Sequence, residues 1–376
     1  MPQPDESAIR AALATVDDPE IRKPITELNM VDGIAIATDG SVDIRLLLTV
    51  PGCPMKEQLT RDVTAAVSRV ANVAAVKVTM GVMSAEQLTA LRQQLRGDAP
   101  ANEIPFAQPG SRTRVYAVAS GKGGVGKSSV TVNVAAALAA KGLSVGVLDA
   151  DIYGFSVPRM LGVTGKPTQV EQMIMPPSAH GVKVISIGMF TPGNTAVVWR
   201  GPMLHRALQQ FLADVFWGDL DVLLMDLPPG TGDIAISVAQ LVPSAELLVV
   251  TTPQLAAREV AERAGSIALQ THQQIVGVVE NMSWLELPDG NRMELFGSGG
   301  GQAVADSLAA STGTKVPLLG QVPIDQQVRE GGDSGAPVVI TDPGSPAAVA
   351  LAGVADALAA RQHSLVGRSL GLAPAR

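Results

Sequence analysis

The run Gly121-Lys122-Gly123-Gly124-Val125-Gly126-Lys127-Ser128 constrains the fold of this chain more than any other feature. It matches the pattern G-x-x-x-x-G-K-[ST] and lies between a β-branched run, Val115 to Ala119, and a helical stretch that begins near Lys127. Glycines are needed because successive backbone N–H groups must curl round a phosphate, and a Cβ would obstruct the turn or the anion. The helix behind the loop adds the partial positive charge of its N-terminus. In such a loop, here Gly121 to Ser129, Lys127 bridges the β and γ phosphates and the Ser128 hydroxyl holds Mg2+. A glycine turn that merely opens a βα unit is the alternative, and strand, loop and helix in register argue against it.

Further β-branched runs follow with helical stretches between them: Val145 to Leu148, Val222 to Met225, Leu247 to Thr251, Ile275 to Val279 and Val316 to Val322. Fully apolar strands alternating with helices imply a parallel sheet covered on both faces. The predicted fold class is therefore α/β, a doubly wound, mainly parallel sheet of the P-loop NTPase type over residues 114–361, with ligands beyond the carboxyl ends of the strands. The Ala-rich stretch Pro346 to Ala360 reads as a closing helix, and residues 362–376 as a loose tail. Residues 96–113 carry three prolines, two glycines and no apolar period, the pattern of a linker. Ahead of it, residues 1–95 read as a small α+β domain: a helix around Ser7 to Thr15, a strand at Val42 to Val50, a helix from Pro54 to about Val70 and a strand near Val73 to Thr79.

Acidic residues stand where such a sheet needs them. Asp149 and Asp151 close the second strand of the larger domain, and residues two apart on an extended chain face the same way. One is placed to orient water and the other to bind near Mg2+. Asp226 ends the run Val222 to Met225 and precedes Leu227-Pro228-Pro229-Gly230-Thr231-Gly232-Asp233, the form of a strand-end acid followed by a loop that senses a γ-phosphate. Asn281 follows the run Ile275 to Val279, where an amide can pair with a purine edge. Lys122 cannot share the place of Lys127. It is positioned to reach a nucleotide held by another copy of the chain, as an arginine finger does, although spacing alone also leaves it a solvated lysine.

Composition removes several classes of function. The 28 Lys+Arg against 35 Asp+Glu give a net charge of −7 with no basic block, which argues against nucleic acid or an anionic membrane as partner. The apolar runs are far shorter than the ~20 residues of a bilayer span, and no basic start followed by an apolar run opens the chain, so it is read as cytoplasmic. The single cysteine, Cys53, excludes an internal disulfide framework and any metal site built from several cysteines of one chain. Cys53 precedes Pro54 at the start of a helix, where free N–H groups and the dipole favour a thiolate. A small buried residue capping that helix is the other reading.

Several motifs in order carry a resemblance. The loop with Lys122, the Asp149 to Gly154 segment, Trp199-Arg200-Gly201-Pro202-Met203, Asp226 to Asp233, Glu280-Asn281-Met282-Ser283 and Arg329 to Gly335 together resemble the Mrp/ApbC family. These are deviant-Walker ATPases related to MinD and ParA and described as iron–sulfur cluster carriers. The likeness runs from about Arg114 to Ala360. The first segment, with Asp18-Pro19-Glu20 and Pro51-Gly52-Cys53-Pro54, looks like the SufT/PaaD-type domain that accompanies iron–sulfur assembly factors.

The resemblance implies catalytic roles for Lys122, reaching across a homodimer, for Lys127, for Asp151, orienting the attacking water, and for Asp226, the Walker B acid. It implies Mg2+ held by Ser128, Asp149 and Asp226, ATP as the nucleotide, and Asn281 as base contact. The expected partners are a second copy, apo iron–sulfur proteins and assembly factors. Phe155 stands where the family commonly has proline. The larger departure is at Ser283 to Asn291, where the family usually carries a Cys-x-x-Cys pair that two protomers pool round a [4Fe–4S] cluster; here Leu287 and Gly290 stand at about those positions. Cys53 is the one thiol left as a cluster ligand. The expected function is an ATP-hydrolysing carrier of iron–sulfur clusters. The alternatives are a nucleotide-switched adaptor that holds no cluster, and a MinD- or ParA-like positioning ATPase.

Overall fold

A computed structural model of the chain describes residues 3–19, 21, 23–49, 55–96, 103–108, 110–151, 154–190, 201–230, 233–254, 264–266 and 268–361. Cys53 and the tail 362–376 lie outside these residues, as do Glu20, Trp199, Arg200, Thr231 and Gly232 of the motifs above. The chain divides into two compact units: one of Met1–Ala101, Gly165–Pro177 and Asp214–Gly218, and one of Asn102–Thr164, Ser178–Ala213 and Asp219–Arg376.

The first unit begins with α1 (Glu6–Leu13), whose N-cap Asp5 accepts a hydrogen bond from the Ser7 N–H. Strands β1 (Val31–Ile36) and β2 (Ser41–Leu48) form an antiparallel hairpin that turns through Gly40 at φ +85°. Helix α2 (Lys56–Val67) then crosses over to β3 (Ala75–Val82), parallel to β2, and α3 (Ala85–Arg96) follows. The sequence marked α1, β2, α2 and β3 but not β1, whose alternation Gly33 interrupts, nor α3, which runs to the start of the proline-rich stretch.

The second unit starts with β4 (Arg114–Ala119), α4 (Lys127–Ala140) and β5 (Val145–Asp149). Helix α4 is buried almost all round from Val130 to Leu138, which is why its sequence shows no polar face. After a short helix, Val157–Met160, the chain departs to form the hairpin β6 (Thr168–Val170) and β7 (Met173–Met175), which belongs to the first unit. Val170, Met173, Met175 and Phe216 are buried in one core with Ile9, Leu13, Ile44, Leu46, Leu59 and Val63. Arg92 pairs with Glu171 of the hairpin turn at 2.9 Å. Met173→Ala should therefore cost about 2–5 kcal/mol, the range for emptying a core methionine site, although Met173 lies about eighty residues beyond Leu91, the last of that core's residues in the first hundred. Urea unfolding of the full chain measures it, and a loss under about 1 kcal/mol would remove the hairpin from the core.

The chain returns as β8 (Ser178–Ala179) and β9 (Val182–Ser186), then β10 (Val222–Asp226), β11 (Glu246–Thr251), β12 (Ile275–Glu286), β13 (Arg292–Met293) and β14 (Leu318–Ile324). These strands complete a nine-stranded sheet of order β13-β12-β11-β4-β10-β5-β9-β8, with β14 also paired to β12. All pairs are parallel except those of β8 and β13. The doubly wound, mainly parallel α/β class is what the structure has. Helix Pro346–Ala359 packs against α4, sharing Leu351 and Val354 with the core round Val130 and Leu138. The 96–113 stretch is more than spacer, since Phe106 is buried in the second unit and its carbonyl accepts from the Ser244 hydroxyl. Among the described residues no helix is long and apolar enough to cross a membrane.

Candidate functional site

The site forms where strand order departs from chain order. β10 inserts between β4 and β5, so the carboxyl ends of three adjacent parallel strands deliver the glycine loop, Asp226 and Asp149 to one place. Asp226 is in register with Asp149 on the neighbouring strand, and both carboxylates are fully buried. Gly124 and Gly126 adopt φ +79° and +78°, the left-handed region that lets the loop turn inward, and Gly126 caps α4. A cavity of about 230 Å3 opens against the loop, lined also by Lys122, Lys127, Ser128, Asp151 and Pro229.

Asp226 is the hub. Its Oδ2 lies 2.7 Å from the Lys127 ammonium and accepts from the Ser128 hydroxyl at 2.5 Å, while its Oδ1 accepts from the Thr131 hydroxyl at 2.8 Å. The Lys127–Asp226 pair is 6% and 1% exposed, which makes it a buried ion pair satisfied by additional hydrogen bonds. Thr131 was not marked from sequence. It follows Lys127 by four residues, one helical turn, and that spacing was the available signal.

Asp149 Oδ1 accepts from the Asp151 N–H at 3.2 Å, and its Oδ2 from the Ser186 hydroxyl at 3.1 Å and the Val157 N–H at 3.3 Å. Burial first, and then the neighbouring Asp226 charge, push the Asp149 carboxyl from the usual 3.8 up to about 8, against the opposing pull of the Asp151 N–H and Ser186 hydroxyl. Ser186 ends β9, whose run Val182-Lys183-Val184-Ile185 alternates and went unread as a strand. Asp151 Oδ1 accepts from the Gly154 N–H at 3.0 Å, which turns its carboxyl toward the loop cavity.

Two of the marked residues have side-chain partners within the chain itself. Lys122 donates to the Gln254 side-chain oxygen of its own chain. Asn281 donates through Nδ2 to the Val125 carbonyl at 2.9 Å, and a Cβ on Gly126 would run into that amide. Asn281 thus braces the phosphate loop, and it also lines a second, larger cavity beside the loop. The adjacent Met282 is left-handed at φ +58°, at a register shift of β12 against β14, and this bulge aims Asn281 at the loop. Glu280, buried among apolar neighbours, accepts from the Gly301 N–H at the start of helix Gly300–Thr312 and from Gln321 Nε2 at 2.7 Å. Its sequence signals were a charged residue ending an apolar run and its place in the Glu280-Asn281-Met282-Ser283 motif.

Past Ser283, β12 continues into the hairpin with β13. The Leu287 N–H donates to Asn291 O, the Gly290 N–H donates to Leu287 O, and the Arg292 guanidinium lies 4.2 Å from the centroid of the Trp284 ring. This hairpin carries no cysteine. Among the described residues, no group of three or more His, Cys, Asp or Glu converges to hold a metal ion.

Comparison with known proteins agrees with this geometry. Residues 111–359 match the family model described as NUBPL iron-transfer P-loop NTPase, and residues 6–80 match one described as iron-sulfur cluster assembly protein. A protein of Mycobacterium bovis named iron-sulfur cluster carrier protein is 66% identical over 98% of this chain and 97% of its own. One of the same name from Synechocystis is 41% identical over 94% of this chain and 97% of its own. Among solved structures, a nucleotide-binding protein in complex with ADP from Archaeoglobus fulgidus is 34% identical with a TM-score of 0.52, covering 62% of this chain and 90% of that one.

Proposed function

Because the chain belongs to the NUBPL iron-transfer P-loop NTPase family, we propose that it is an ATP-hydrolysing carrier that binds iron–sulfur clusters and passes them to apoproteins. The observation that carries the nucleotide half is the buried junction of Lys127, Ser128 and Asp226 at the mouth of the glycine loop. The cargo half is supported by the name shared by the relatives and by the assembly-protein match over residues 6–80.

In this reading the loop amides and Lys127 hold the β and γ phosphates, so the Lys127 ammonium turns from Asp226 towards the nucleotide. Ser128 and Asp226 present hydroxyl and carboxylate oxygens, the hard donors that suit Mg2+, and Asp149, in register beside Asp226, would add a third once ionised by the cation's charge. Mg2+ held there would neutralise charge that develops on the phosphate oxygens. Asp151 orients the water that attacks the γ-phosphate, and Asn281 keeps the loop in its receiving shape. Lys122 leaves Gln254 to reach the nucleotide of a second copy, so that ATP binding joins two chains and hydrolysis releases them.

A second reading, a nucleotide-switched adaptor that holds no cluster, is favoured by one observation, the hairpin with Leu287 and Gly290 in place of thiols. Anaerobic reconstitution with ferrous iron and sulfide separates the two, run on the wild type and Cys53→Ala beside an assay of Mg2+-dependent ATP hydrolysis. A carrier that uses its one thiol gains stoichiometric cluster that the variant lacks, with the remaining ligands drawn from small thiols or a recipient's cysteines. Hydrolysis with no specific iron in either protein removes the carrier and leaves the adaptor.

A further inference from the structure

The larger cavity, about 660 Å3, shares Gly126, Ser129, Ser156 and Met160 with the loop cavity and so continues from the place where a phosphate chain would end. That volume falls in the usual range for a small-molecule site. Its apolar walls include Met282, Leu295, Phe296, Pro323 and Val328. The charged groups on its lining are Arg159, Asp325, Arg329 and Asp333, and these largely neutralise one another: Arg159 lies 3.6 Å and Arg329 3.4 Å from the Asp333 carboxylate. A cavity of this kind suits a flat, uncharged, largely apolar group tethered to phosphates, which is the chemistry of a purine base.

Two of its wall residues are anomalous as they stand. Leu295 and Phe296 remain 50% and 39% exposed, although both line a cavity. They sit just beyond β13, ahead of Gly297 and Gly299, which turn the chain at φ +82° and +78° into helix Gly300–Thr312. Large apolar groups held out on such a turn gain burial when an aromatic ligand covers them.

We propose that Phe296, with Leu295 beside it, is the base-recognising wall of the nucleotide site, an inference that rests on the nucleotide-binding reading above. The phosphates are held by the loop, and the ring of Phe296 supplies the contact that separates a nucleotide from a bare polyphosphate. The Trp284 to Phe296 hairpin is in this way part of the nucleotide site.

Calorimetric titration with Mg2+ and either ADP or inorganic tripolyphosphate tests this on the wild type, Phe296→Ala and Phe296→Tyr. Loss of one base–aromatic contact corresponds to a Kd for ADP weakened about 5- to 150-fold in Phe296→Ala. The tripolyphosphate Kd should stay within about twofold, and Phe296→Tyr should keep most of the ADP affinity. Thermal melting checks that each variant folds, and Leu295→Ala, with a smaller selective loss, serves as a second variant. ADP affinity unchanged in Phe296→Ala overturns the proposal, and so does an equal loss for both ligands, because Phe296 would then act through the loop. A wild-type protein that binds neither ligand overturns the nucleotide reading itself, a result distinct from both.

Discussion

Lys127→Ala should lower ATP hydrolysis at least ~100-fold, the scale on which removal of one preorganised electrostatic contact to a transition state acts. The same substitution should destabilise the nucleotide-free protein. The Lys127 ammonium is the partner of Asp226, and Asp226 stands in register beside Asp149 in the sheet interior. Truncating one member of a buried pair leaves an uncompensated charge, a loss of about 3–5 kcal/mol in comparable cases. Lys127→Arg separates the two effects: it keeps a cation near Asp226 and regains part of the stability, but its planar fork does not reproduce the point charge at the phosphates. Steady-state hydrolysis and denaturant unfolding of both variants provide the check. Activity of Lys127→Ala within threefold of the wild type would remove Lys127 from the chemistry.

The nucleotide-free protein should lose stability as pH rises from about 5 towards about 8. Asp149 in the fold holds its proton up to about 8, whereas in the unfolded chain it releases it near 3.8. Between those values the folded state binds more protons than the unfolded state, so the Asp149 contribution is complete below about 4, declines with rising pH and is gone above about 8. A single proton corresponds to at most about 1.4 kcal/mol per pH unit in that window. Melting temperatures of the wild type and Asp149→Asn across the window compare the slopes. The variant should give the flatter curve whatever its absolute stability, and parallel curves would mean that the carboxyl is already ionised in the fold. With Lys127→Ala the decline should extend to higher pH, because the cation that opposes protonation of Asp149 is gone.

Much of the larger unit was legible in the sequence because a sheet covered on both faces writes its strands as unbroken apolar runs. β4, β5, β10 and β11 announce themselves, and their last residues place the loop, Asp149 and Asp226 at one edge. Elements that depend on distant partners were not legible. The three-residue strands Thr168–Val170 and Met173–Met175 have no period to read, and their burial comes from residues of the first hundred. Ser186 and Thr131 matter through the carboxylates they touch, and those contacts require the sheet order. Asn281 was visible as a polar residue after a strand, but its hold on Val125 follows from the Met282 bulge, which no spacing rule gives. Cys53 lies outside the described residues, so its role rests on the reconstitution experiment.

The hairpin of β6 and β7 bears on what counts as a module in this chain. A gene fragment that ends near residue 95 encodes three strands and three helices, yet it omits Val170, Met173, Met175 and Phe216 from the apolar interior those elements build. Such a fragment would carry an uncovered greasy seam, and its insolubility would reflect a missing piece rather than a poor sequence. The inheritable unit is therefore the first hundred residues together with 165–177 and 214–218: recombination that exchanged the first hundred residues for those of a relative would have to exchange a handful of core side chains encoded far downstream as well.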